Sequence, residues 1–436
     1  MKEQESIAAS KVKRSMRFVK TGAQVGGNFI KYYSKKIVDP STSRDELDKD
    51  NAEDIYNALS SLKGSALKVA QMLSMDKSIL PKAYADQFSL SLNSAPPLSG
   101  PLIVRTFNRS FGKQISEIFD SFDMKASHAA SIGQVHKAKI GDKELAVKIQ
   151  YPGVADSISS DLKLVKPFAL RLLGMSEAEL AIYLKEVEAK LIEETDYELE
   201  LRQGQEISTA CAHLDHIEFP AYYPEYSNDK VLVMDWIEGM ALKDWLKTDP
   251  SQAERNKIGQ ALWDFYNYQQ HELKLVHADP HPGNFLVTKD GQLGVLDFGC
   301  VKQIPEDFYH AFFGLVNPQI KNDKDKAMAL FRELQMILPN DTPAQVEFFF
   351  NLYTDMIDLF ARPYRESQFD FGDPGFIQAL YAYGEKASKT PELKQARGVK
   401  HFIYVNRTNF GLYNILHDIG AEVKTDRYSP SMLETA

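Results

Sequence analysis

Apolar residues recur along this chain with two periods, and the change from one to the other marks out its parts. Ile55, Leu59, Leu62, Ala66, Val69 and Leu73 fall three or four residues apart, which predicts an amphipathic helix over 53–75. Shorter helices are expected over 103–111 and 114–119, set off by Pro96-Pro97 and Gly100-Pro101. The period then drops to two. KAKI, the turn Gly141-Asp142 and ELAVKI read as strand, turn, strand. A long acidic helix is expected over 179–203, with Leu180, Tyr183, Val187 and Leu191 on one face, followed by the apolar strand VLVMD. Helices over 242–247 and 252–272 lead to the runs LKLV and QLGVL, with a hairpin turn in TKDGQ, 288–292. Helices over 305–315, 323–336, 343–362, 374–387 and 398–418 complete the pattern. At the start, Val12, Met16, Val19 and Ala23 share one face of a weakly amphipathic basic helix that Gly22, Gly26 and Gly27 should weaken. Residues 40–54 read as a linker, and the tail after Lys424 as polar and frayed.

Composition changes this picture in three ways. The chain has 436 residues, 44% of them hydrophobic, enough for two or three lobes with a sizeable core. Its net charge of −9 argues against bulk nucleic-acid binding. Residues 1–36, with nine Lys/Arg against two Asp/Glu, carry +7 of their own, which fits attachment to an anionic membrane surface as well as a merely solvated start. Two cysteines, Cys211 and Cys300, make no disulfide framework or metal set, so a reducing compartment is expected, cytoplasmic or matrix-like. No run is apolar and long enough to span a bilayer, and no signal peptide is visible.

The chemistry gathers in two runs, His277–Asn284, HADPHPGN, and Asp297-Phe298-Gly299, thirteen residues past Asn284. This is the spacing of the kinase loop H-x-D-x-x-x-x-N followed by D-F-G. Asp279 would orient or deprotonate an attacking hydroxyl, and Asn284 and Asp297 would hold Mg²⁺ on nucleotide phosphates. Lys148, on the alternating strand AVKI, either snorkels to solvent or points toward phosphates; the downstream motifs favour phosphates. Glu194, Asp196 and Glu200, in EETDYELELR, are the candidates for the carboxylate that steadies it. AASIGQVH supplies small residues, Ala129, Ala130, Ser131 and Gly133, with Val135 behind them, for a phosphate-binding bend. Met234, Asp235 and Trp236 read as a hinge whose backbone would meet an adenine. Lys68 and Gln71 flank the apolar stripe of their helix and read, unaided, as solvated. After Gly299 a helix begins within a few residues and no A-P-E motif follows, so a peptide substrate has no evident platform.

Taken together, LKVAQMLSMD, AASIGQVHKA, AVKIQYPGV, ETDYELE, HADPHPGNFL and VLDFG resemble the UbiB/AarF family of atypical protein-kinase-like proteins, over about residues 50–415. The resemblance implies an α+β, two-lobed protein-kinase-like fold, with a small β-containing N-lobe, a mainly helical C-lobe and an N-terminal helical extension over the cleft. The expected divisions are a basic segment 1–50, the extension 51–125, a nucleotide-binding lobe and hinge 126–240, a helical lobe 241–424 and a polar tail 425–436. Lys68 and Gln71 match the family's K-x-G-Q motif, and Glu194 and Asp196 its E-x-D partner, which together would govern the covered cleft. Glu200 then matches the partner of Lys148. Two positions depart from the family pattern: Ala70 replaces the glycine of K-x-G-Q, and His128 replaces the first of three alanines. The implied function is an ATP- or ADP-binding, Mg²⁺-dependent ATPase or small-molecule or lipid kinase. It would support isoprenoid-quinone (ubiquinone-type) biosynthesis, with a lipid or quinone-precursor ligand, rather than general protein phosphorylation. The rival readings are a nucleotide-gated binding module without sustained catalysis and a phosphotransferase of the aminoglycoside or choline kinase type.

Overall fold

A computed structural model describes residues 11–39, 45–62, 97–129, 132–173, 177–317, 320, 323–388, 390 and 397–428. The chain divides into two compact units, Met1–Arg202 with Ala221–Trp236, and Gln203–Pro220 with Ile237–Ala436.

The first unit opens with a 28-residue helix, α1 (Lys11–Val38), and α2 (Asp45–Leu62). The glycines expected to weaken α1 do not end it. Its Asn28 side chain donates to Asn51 and Asp54 of α2, and Val25 and Tyr32 are buried, so packing outweighs glycine's propensity. Most of the expected linker is likewise helical, since α2 begins at Asp45. The expected helix over 53–75 is present as the end of α2; its continuation, with Lys68, Ala70 and Gln71, lies outside the described residues.

Next come α3 (Gly100–Phe111) and the strands β1 (Ser121–Phe122), β2 (His128–Ala129), β3 (Gly133–Ile140) and β4 (Lys143–Gln150). The helix expected at 114–119 is a single 3₁₀ turn, Ile115–Glu117. Two helices follow, α4 (Val154–Leu173) and α5 (Glu177–Glu194), before α6 (Tyr197–Ala210); the short β5 (Ile217–Glu218) belongs to the second unit. Strand β6 (Val231–Asp235) completes an antiparallel sheet of order β1-β3-β4-β6, with β2 also pairing β3. One face of the sheet, with Val147, Ile149, Val231 and Val233, packs on Ile103 and Phe107 of α3 and on Ile115 and Phe119. Residues 98–119, grouped by sequence with the helical extension, thus share one core with the sheet.

In the second unit β7 (Gly239–Ala241), β9 (Phe285–Thr288) and β10 (Leu293–Val295) form a four-stranded sheet with β5, while β8 (Leu275–His277) pairs β11 (Val301–Gln303). The helices are α7 (Leu242–Leu246), α8 (Gln252–Tyr268), α9 (Glu306–Gly314), α10 (Lys324–Glu333), α11 (Pro343–Phe360), α12 (Pro374–Ser388) and α13 (Lys400–Ile419). Their bounds follow the apolar periods closely. The strand pair β12 (Gln368–Asp370) and β13 (Glu422–Lys424) was not expected. Nor was an ordered end: Thr425 and Tyr428 are buried, so the tail is anchored at least to residue 428.

Candidate functional site

The first unit builds the surroundings of Lys148. Antiparallel register sets Lys148 opposite Val135 and Leu232, Gly133 opposite Gln150, and Ala146 opposite Met234. Since side chains alternate along a strand, Gly133, Val135, Lys148 and Met234 share one sheet face, opposite the one packed on α3. Lys148 Nζ lies 2.7 and 2.8 Å from the two carboxylate oxygens of Glu200. That lysine is 12% exposed and the glutamate 2%. The Tyr197 ring stands 5.1 Å from the same Nζ. A Cβ at Gly133 would come within 2.6 Å of the Tyr197 hydroxyl and 2.8 Å of the Ile149 carbonyl oxygen, so only glycine fits here.

A break in the helix expected over 179–203 puts Glu200 in position. The break falls at Thr195-Asp196, between α5 and α6. Asp196 Oδ1 accepts the Leu199 N–H (2.9 Å), as an N-cap does, and Gln150 of β4 donates to the Thr195 carbonyl (2.8 Å). Glu194 therefore ends one helix, half-buried, while Glu200 sits in the first turn of the next. Of the three candidate partners for Lys148, the structure selects Glu200. The expected contacts of Glu194 and Asp196 with Lys68 fall outside the described residues.

Ala129 pairs with Gln134 and so faces away from Gly133 and Val135; His128, opposite Val135, takes their side. Ala130 and Ser131 lie outside the described residues. In the hinge stretch, the Asp235 N–H donates to the Ala221 carbonyl and the Trp236 N–H to that of Glu144. The Asp235 carboxylate accepts from the Ala221 N–H (3.0 Å) and the Tyr223 hydroxyl (2.7 Å). Its side chain braces the unit, and an adenine would not be read by those two N–H groups. Sequence reasoning passed over Gln134 and His136, which are buried polar residues of structural use. Gln134 Oε1 accepts from the Leu98 N–H (2.7 Å), and His136 Nδ1 donates to the Asp123 carbonyl (2.8 Å). Burial lowers the pKa of His136, against the pull of that bond.

The second unit builds the HADPHPGN loop. Strand β8 delivers His277, and pairing with β11 brings Ala278 back to Cys300, whose carbonyl accepts the Ala278 N–H at 2.8 Å. His277 is fully buried. Its Nε2–H donates to the Asp297 carbonyl (2.7 Å), and its Nδ1 accepts from the Tyr266 hydroxyl (3.1 Å). Burial holds the Tyr266 phenol protonated by raising its pKa well above the ordinary value, with Asp279 adding to the rise. Asn284 Nδ2 donates to the Asp279 carbonyl (2.9 Å), and the Asn284 carbonyl accepts the Leu296 N–H (3.0 Å). Asp297 Oδ1 accepts the Gly299 N–H (2.9 Å). The expected turn at 288–292 is present, with Gly291 at φ +66°, but it joins β9 to β10; the run LKLV, expected as one of the two strands, forms β8 and pairs β11 instead. The loop thus draws Asp279, Asn284 and Asp297 together, all half-buried.

The donors there are an amide oxygen and a carboxylate, hard oxygen ligands of the kind Mg²⁺ takes. With its nitrogen turned to the Asp279 carbonyl, the Asn284 amide points its oxygen elsewhere. Among the described residues, no cluster of three or more His, Cys, Asp or Glu could hold a metal ion alone. The residues therefore fit an ion shared with nucleotide phosphates, not a self-sufficient protein cage. A further residue meets the loop from α13: Arg407 Nη2 is 3.6 Å from Asp279 Oδ1. No periodicity or motif pointed to it.

A small antiparallel sheet with an ion-paired lysine, and a helical unit carrying the H-x-D-x-x-x-x-N and D-F-G loops, define a kinase-like α+β protein. The model of the ABC1 atypical kinase-like domain matches residues 91–331, more than half of the chain, and the chain belongs to that family. It is 30% identical over 318 residues to an uncharacterised chloroplastic aarF domain-containing protein kinase of Arabidopsis thaliana, covering 71% of this chain and 45% of that one. It is 29% identical over 322 residues to an ABC1 family protein of Schizosaccharomyces pombe, covering 71% and 59%. The chain spans about half the length of the curated relatives it matches. Among solved structures, Rv3197 of Mycobacterium tuberculosis, determined in complex with erythromycin, aligns with a TM-score of 0.60 at 25% identity, covering 88% of this chain and 95% of that one. These names agree with the UbiB/AarF resemblance.

Proposed function

We propose that this chain binds ATP or ADP with Mg²⁺ and transfers or hydrolyses the terminal phosphoryl group, acting on a small molecule or lipid. Lys148, held by Glu200, would meet the α- and β-phosphates. Asn284 and Asp297 would hold Mg²⁺, which supplies neutralisation of phosphate charge. Asp279 orients the attacking hydroxyl or water. The bond from the terminal phosphorus to the bridging oxygen breaks, a bond to the incoming oxygen forms, and the proton of that oxygen passes to Asp279 or to solvent. The observation that supports this most is the loop in which His277 and Asn284 bond the backbone of Asp297 and Asp279. Against a protein substrate stands the short path from Gly299 through β11 to α9, which leaves no activation segment.

The test is thermal stabilisation by nucleotide together with phosphate release. Wild type should melt higher with nucleotide only when Mg²⁺ is present, and Asp297→Asn should lose that gain. Acceptors should include quinone precursors, lipids and erythromycin, the last because one relative was solved with it. Stabilisation without turnover under any acceptor would make the chain a nucleotide-gated binding module. No stabilisation would end the nucleotide reading.

Support of isoprenoid-quinone biosynthesis at a membrane is the finer part of this proposal. Among the described residues no helix is long and apolar enough to cross a membrane. Helix α1 offers another route. Met16, Val19, Ile30, Tyr33 and Ile37 are between 58% and 84% exposed, on the side away from buried Thr21, Val25 and Tyr32. Lys20, Lys31 and Lys35 flank that apolar stripe, a pattern suited to an anionic surface. Co-sedimentation with phosphatidylglycerol vesicles, and none with phosphatidylcholine alone, is the expected result; no binding to either would remove the membrane from the proposal.

A further inference from the structure

The loop motif reads His277-Ala278-Asp279, where the protein-kinase signature has H-R-D. Ala278 thus removes the guanidinium that a protein kinase carries beside its aspartate. The structure brings one back from 128 residues further on. Arg407 of α13 sets its Nη2 3.6 Å from Asp279 Oδ1, with the arginine side chain 30% exposed and the aspartate 19%. The helix that carries it is tightly fixed against the same loop. A Cβ on Gly411 would stand 2.2 Å from Pro280 Cγ, so α13 approaches the loop as closely as glycine allows. Asn409 Oδ1 accepts from buried Gln270 Nε2 (3.1 Å), and Thr408 is fully buried. The Tyr404 ring lies 5.5 Å from Lys302 Nζ of β11, the strand just past D-F-G. Tyr404, Arg407, Thr408 and Gly411 are spaced as neighbours on one helical face.

We propose that Arg407 is the positioning residue of Asp279, and that α13 thereby sets this loop in the absence of an activation segment. This rests on the reading of Asp279 as the group that orients the nucleophile. Helix α13 lies beyond residues 91–331, the part matched by the family model. At 3.6 Å the pair is longer than a charge-assisted hydrogen bond of about 2.7–2.9 Å. Such a contact limits where the carboxylate points without locking it.

The experiment compares wild type, Arg407→Ala, Arg407→Lys, Asp279→Asn and the Asp279→Asn/Arg407→Ala double variant, in nucleotide-dependent phosphate release and in urea unfolding without nucleotide. Arg407→Ala should lower kcat about ten- to a hundredfold with the nucleotide KM unchanged. Arg407→Lys should recover part of that loss. In the Asp279→Asn background, Arg407→Ala should lower kcat no further, and the unfolding midpoints should be non-additive. A folded Arg407→Ala with kcat within about twofold of wild type overturns the proposal, as does a loss that persists undiminished in the Asp279→Asn background. If wild type releases no phosphate while the midpoints stay coupled, the reading of Asp279 fails and takes the positioning role with it. If wild type turns over and the midpoints are additive, the positioning role alone fails.

Discussion

Two ion pairs stand at the two candidate sites, and they are built differently. Lys148 and Glu200 meet through both carboxylate oxygens at 2.7 and 2.8 Å, the glutamate almost wholly buried. Asp279 and Arg407 meet at one point, 3.6 Å apart, with both side chains partly in solvent. Burying a charge pair costs desolvation that only close geometry offsets. The first pair meets that condition and is suited to holding a lysine in one place. The second is cheap to form and cheap to open, which suits a carboxylate that must exchange its partner for a substrate.

The sharpest way to break this contrast is to remove one partner from each pair. Glu200→Ala leaves a buried lysine uncompensated and should cost about 3–5 kcal/mol in urea unfolding, whereas Lys148→Met/Glu200→Leu should recover much of that stability. A Glu200→Ala loss below about 1 kcal/mol would make the two pairs equivalent. Next in size is a pH effect that separates the units by their buried imidazoles. Burial, helped by Lys274, holds His271 at about 3, from an ordinary 6.5, and burial lowers His136 as well. Each therefore protonates at a lower pH in the fold than in the unfolded chain, where an imidazole titrates near pH 6.5. Their contribution is complete above that pH and is lost as pH falls toward the folded values, at up to about 1.4 kcal/mol per pH unit for each. His271→Asn should flatten the fall in stability between pH 6.5 and 4; an unchanged slope would show that His271 takes no part. Smallest is Arg407→Ala, which should cost about 1 kcal/mol or less in stability while changing turnover far more.

Much of this was legible in the sequence. The strands KAKI and ELAVKI carried a clean alternation about Gly141-Asp142, Asp290-Gly291 marked a second turn, and the apolar period placed the later helices near their observed bounds. What escaped depends on contacts distant in the chain. EETDYELE reads as continuous helix because glutamate and leucine favour one; the break at Thr195 relies on Gln150, 45 residues away. The segments QFD and EVK are too short to carry a period, and they pair across more than 50 residues. Glycine's low helix propensity misled over α1 because packing on α2 decides it. At the sites, Asp279, Asn284 and Asp297 announced themselves by spacing, and Lys148 by its strand. Arg407 did not, being one arginine in an ordinary helix.

The close seating of Gly411 on Pro280 also imposes an order in time. The loop is synthesised 131 residues before the glycine that backs it. At about 5–20 residues per second, a nascent chain carries HADPHPGN for roughly 7–26 s before α13 exists. During that interval Asp279 has no Arg407 to meet. A growing chain would thus possess the motifs of its chemistry well before it possessed their support.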